Sequence, residues 1–102
     1  MKNELGSTEP LYPGDRVRID AEIKDEDGNL TNPNTHSIVL KDPDGVQSGS
    51  AMTNPTQNGI GDFSQKIDIP SDAEAGIWTV EWTAGFTGAG QKTGKISLQI
   101  YA

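Results

Sequence analysis

The chain has 102 residues, with a hydrophobic fraction of 32% and a net charge of −7 from 15 acidic and 8 basic side chains. That length suits a single domain, and burying roughly 60–65% of the unfolded surface leaves room for one modest core. The acidic balance repels phosphate backbones and argues against nucleic acid. No apolar run is long enough for a transmembrane segment, and the lack of cysteine removes any disulfide scaffold.

Twelve glycines and 6 prolines predict many tight turns and few long helices. Residues 1–10 are polar and lack a signal-peptide pattern, so they read as a flexible lead-in to a domain spanning 11–102. Leu11-Tyr12 is a candidate short edge strand, and Pro13-Gly14-Asp15 a turn. Val17, Ile19, Ala21 and Ile23 then alternate with Arg18, Asp20, Glu22 and Lys24, the period of a half-buried strand. Residues 25–35 form a polar loop, 37–41 a strand, and Asp42-Pro43-Asp44-Gly45 a turn. Residues 46–53 read as a short edge strand, and 54–61 as a loop with the turn pair Asn58-Gly59.

Phe63, Gln65, Ile67 and Ile69 alternate with Ser64, Lys66 and Asp68 in a further strand. Pro70 ends it, a polar loop follows, and Gly76 opens the next strand, which predicts a crossing between sheets. Trp78, Val80 and Trp82 share one face of that strand. Residues 85–94 read as a Gly-rich loop or hairpin, and Ile96, Leu98 and Ile100 line a final strand. The expected core is Val17, Ile19, Ile23, Phe63, Ile67, Trp78, Val80, Trp82, Ile96, Leu98 and Ile100. No segment holds a helical period.

Six or seven short strands at about ten-residue spacing predict an all-β fold, an immunoglobulin-like antiparallel β-sandwich of about seven strands. The antibody type would need paired cysteines. The succession Tyr12-Pro13-Gly14-Asp15-Arg16-Val17, Asp25-Glu26-Asp27-Gly28, Asp42-Pro43-Asp44-Gly45, Gly61-Asp62-Phe63 and residues 69–78 resembles macroglobulin-type and bacterial immunoglobulin-like domains. The likeness covers residues 12–101. Such domains occur in microbial surface proteins and among small phage structural proteins, and they share no catalytic residues. The resemblance therefore implies a non-catalytic structural or adhesion module, not an enzyme. It would present loops or a sheet edge to a protein partner in a larger assembly, at a cell surface, outside the cell or in a virion.

Individual motifs add little chemistry. Aligning Asp25, Asp27 and Gly28 with an EF-hand loop leaves Ile23 and Asn34 where its first and last ligands belong, so the acidic run reads as a solvated turn and no metal or cofactor is expected. His36 has no second His or Cys and reads as a solvent-exposed residue at a strand start. The glycines of 85–90 lack the Lys-Ser/Thr ending of a phosphate loop. Asn29-Leu30-Thr31 matches a glycosylation acceptor, meaningful only in a secretory setting. Trp78 and Trp82 read as a core stripe. Carbohydrate binding through exposed aromatics is the alternative function, with this pair as the candidate sugar platform. In immunoglobulin-like strand order, loops 25–35, 54–61 and 85–91 converge at one end. Phe86 is their only aromatic, and with Asn34 and Asn58 it makes up the candidate partner contact.

Overall fold

The structure, a computed structural model, describes residues 2–5, 11–88 and 90–101. Alternation of Val17, Ile19 and Ala21 with charged neighbours produces strand β2 (Arg16–Glu22), whose aliphatic side chains are buried. It pairs antiparallel with β6 (Asp62–Asp68), which follows the same rule, in register Val17↔Ile67 and Ala21↔Phe63. β1 (Lys2–Leu5) joins the other side of β2, and β5 (Thr56–Gly59) the other side of β6. The second sheet is built on β7 (Gly76–Phe86), flanked by β3 (Thr35–Lys41) and β8 (Gly90–Ile100), with β4 (Gln47–Met52) on the far edge of β3. The orders β1-β2-β6-β5 and β4-β3-β7-β8 are those of an immunoglobulin-like sandwich, and all strand pairs are antiparallel.

The expected crossing is present: the chain leaves the first sheet at Asp68 and enters the second at Gly76. Ile69 and Ala73 are buried under the crossing, and the Trp78 indole N–H pins it by donating to the Glu74 carbonyl at 2.9 Å. Every expected core residue is buried except Ile96, which is partly so; Ala21, Ile38, Leu40, Ile69, Ala73 and Ala84 complete the core.

The structure differs from the sequence reading in four places. β5 lies inside the span read as loop 54–61, because its four exposed residues carry no apolar alternation; only pairing to β6 makes it a strand. The turn falls at Ile60-Gly61 rather than Asn58-Gly59, with Gly61 at φ +68° against the Ile23 backbone. β7 and β8 run further into the Gly-rich segment than expected. Gly94 there stands opposite Trp82 in the β7–β8 pair, so this glycine is a strand residue rather than a turn former. Lys2–Leu5, within the span read as a lead-in, pairs with β2 from Lys2↔Glu22 to Leu5↔Ile19. Leu11 makes a single parallel bridge to Ile100, and the Tyr101 N–H donates to the Leu11 carbonyl at 2.8 Å.

Candidate functional site

Three connections meet at one end of the sandwich, and backbone groups bind them together. The Ile23 N–H donates to the Gly61 carbonyl at 2.7 Å, and the Thr31 N–H to the Ile23 carbonyl at 2.9 Å. Asn32 Oδ1 accepts the Gly61 N–H at 2.8 Å and the Gln57 amide at 3.2 Å. Asn34 ties the same loop to the β7–β8 tip: its N–H donates to the Gly85 carbonyl at 2.8 Å, and its Oδ1 accepts the Thr87 N–H at 2.6 Å. These bonds hold the loop end in one shape, which lowers the entropy lost on binding.

Phe86 sits between two hollows of this end. It packs against the core edge and is only partly buried. On one side a cleft of about 340 Å³ is lined by Asp25, Glu26, Asp27, Thr31, Phe86 and Lys92. Lys92 Nζ donates to the Lys24 carbonyl at 2.6 Å and lies 6.0 Å from the Phe86 ring centre. On the other side a shallower hollow includes Asn34, Thr35 and Thr87. Phe86 and Asn34 are thus brought together. Asn58 is not: it projects from β5 on the outer face of the first sheet, donating to Ser64 Oγ at 3.2 Å. Sequence reasoning missed Asn32 and Lys92, since an Asn in a loop and a Lys in a strand carry no signal until the fold places them.

The acidic run is a turn with a defined internal structure. Asp25 Oδ1 accepts the N–H groups of Asp27 and Asn29, while the Gly28 N–H donates to the Asp25 carbonyl. Asp42 repeats the arrangement, with Asp44, Val46 and Gly45 in the corresponding places. In both turns a carboxylate oxygen is engaged by backbone donors. At the opposite end of the sandwich, Asp42, Asp44 and Glu74 bring carboxylate oxygens within 4.8 Å of one another, but these are largely exposed acids and we assign no ion there.

His36 is not the exposed strand-start residue expected. It lies on the inner side of β3, its ring 4.4 Å from that of Phe63, and Nδ1 accepts the Trp82 indole N–H at 3.2 Å. Burial pushes its pKa below the ordinary value, and the accepted bond fixes the remaining proton on Nε2. On the outer face of the second sheet, Glu81 bridges Lys41 at 2.6 Å and Lys95 at 3.2 Å, and these hydrogen bonds hold its carboxyl below the usual range. Arg16 does the same for Asp68. Trp78 and Trp82 are 4% and 1% exposed, so neither offers a face to a sugar. The exposed rings of Tyr12 and Tyr101 are inclined at 45°, which makes no flat platform.

The sequence profile of the MG2 domain matches residues 10–100. The chain belongs to the MG2 domain family. Two bacterial relatives named alpha-2-macroglobulin, from Xylella fastidiosa strains Temecula1 and 9a5c, are each 41% identical to this MG2 domain over 73 residues. The match covers 71% of this chain and 4% of each relative, so in those proteins the stretch is one small portion of a much larger chain. Family membership supports a non-catalytic module of a larger protein.

Proposed function

We propose that this MG2 domain is a non-catalytic structural module of a large alpha-2-macroglobulin-type protein, and that it contacts a neighbouring protein surface through the loop end around Phe86. The observation that carries the modular role is the 41% identity to chains of which the matched stretch is only 4%. The contact through the loop end rests on geometry: a partly exposed aromatic between two hollows, on loops already cross-tied by Asn32 and Asn34. Of the settings expected, we favour a cell-associated or extracellular one over a virion, since the matched relatives are bacterial proteins.

The test is site-specific photocrosslinking in the full-length parent protein, with the reactive group at position 86 and, as control, at Thr79 on the outer face of β7. Crosslinks from position 86 to another domain or protein, competed away by unlabelled partner, are expected. Crosslinks from Thr79 alone would place the contact on the sheet and remove the loop end from the proposal. Phe86→Ala should weaken the same contact while the domain still melts cooperatively.

A further inference from the structure

We propose that the outer face of the first sheet carries a second docking site, a groove that accepts a carboxylate side chain of a protein partner. This site is independent of the Phe86 loop end. The groove, about 370 Å³, lies along β6 beside the segment leading into β5, and its walls include Arg18, Asn54, Asn58, Ser64, Gln65 and Lys66. No acid lines it, although the chain carries a net charge of −7. Arg18 and Lys66 stand directly opposite each other across the β2–β6 pair. Like charges in that relation repel, and an anion between them would reverse the sign of the interaction.

Existing partners leave donors available. Arg18 gives Nε to Asp20 at 2.8 Å, and its terminal N–H groups have no acceptor among the described residues. Lys66 is exposed and makes no ion pair among the described residues. Ser64, the only buried polar side chain described, is 7% exposed; its oxygen accepts from Asn58, while its hydroxyl proton has no acceptor among the described residues. A guanidinium, an ammonium, side-chain amides and a hydroxyl around one hollow match a carboxylate, which only accepts and can take about four hydrogen bonds. No aromatic ring lines the groove, so a sugar would find nothing to stack on. That favours an acidic side chain of a protein over an acidic glycan.

The experiment is an amide chemical-shift titration of the intact chain with a glutamate-rich peptide, its glutamine counterpart and a uronic-acid oligosaccharide. The glutamate peptide should shift Arg18, Asn58, Ser64 and Lys66, with binding that weakens as salt rises, and the glutamine peptide should not. Lys66→Gln, a change at an exposed position, should raise the dissociation constant several-fold; adding Arg18→Gln should raise it about tenfold or more, as expected for losing charge-assisted hydrogen bonds. Lys66→Gln should leave the melting temperature unchanged, because it removes a repulsion, and Arg18→Gln should lower it only slightly, because the Arg18–Asp20 ion pair it breaks is partly exposed. Absence of groove shifts, shifts spread over other faces, or indifference to both substitutions would overturn the site. Tighter binding of the oligosaccharide than of the peptide would overturn the assignment to a protein carboxylate.

Discussion

Trp82 is 1% exposed, and its indole N–H, the one polar atom of the side chain, is bonded to His36. Truncating it removes one of the two largest buried side chains and leaves His36 without that donor, so Trp82→Ala should cost about 3–5 kcal/mol in denaturant unfolding. A loss below about 1 kcal/mol, the range of ordinary surface sites, would contradict the core placement. His36 brings a pH dependence. Its folded-state pKa lies below its unfolded value, so the unfolded chain binds the extra proton first. The stabilisation is present above about pH 6.5 and declines as the pH falls through the folded-state value. Protonation also places a hydrogen on Nδ1, where the Trp82 N–H now points. Melting between pH 7.5 and 5 should therefore drop more steeply for the wild type than for His36→Gln, which lacks the titration; parallel curves would remove His36 from the pH response.

At the scale of the element, the two Asp turns make the same claim twice. Asp25→Ala and Asp42→Ala each remove an acceptor for two backbone N–H groups, and each should destabilise by about 1 kcal/mol. Melting curves with millimolar calcium and with chelator should superimpose for the wild type. A native-state ligand at ~100 times its dissociation constant would add about 2.7 kcal/mol, so a chelator-sensitive shift would show that these carboxylates hold an ion. The strands show what the sequence can and cannot reveal. β2 and β7 are legible because one face of each is aliphatic or aromatic and burial follows period two, and β6 is legible from Phe63 and Ile67, although Gln65 shares their face and Ser64 is buried on the other. β5 is not, because Thr56–Gly59 is exposed on all four positions and owes its conformation to β6 alone. The extension of β7 and β8 is hidden behind glycines that look like loop formers, although Gly85 makes room for Thr35 and Gly94 is a strand residue opposite Trp82. At the loop end, Phe86 and Asn34 can be named from loops that immunoglobulin-like order brings together. The separation of Asn58 depends on β5, so the error in the element carries over to the site.

For the whole molecule, the central pair of each sheet joins strands distant in sequence: β2 pairs with β6, and β3 with β7, each across some forty residues of chain. Sandwiches dominated by such non-local pairings close long loops before any contact rewards them, so refolding should occupy roughly milliseconds to seconds. Stopped-flow Trp fluorescence, reporting on the burial of Trp78 and Trp82, would measure it. Microsecond folding would mean that local structure carries more of the stability than the topology implies.

The short parallel bridge between Leu11 and Ile100 has a mechanical meaning. Lys2 lies against Glu22 near the loop end, whereas Tyr101 lies at the opposite end of a body 42 Å long. Tension drawing those two points apart would slide Leu11 along Ile100, loading their junction in shear, and would slide β1 along β2 in the same sense. Hydrogen bonds in shear share the load and break together, whereas those of a hairpin pulled at its open end break in succession. A pull along the long axis would therefore be met in shear both at the Leu11–Ile100 bridge and along the β1–β2 pair.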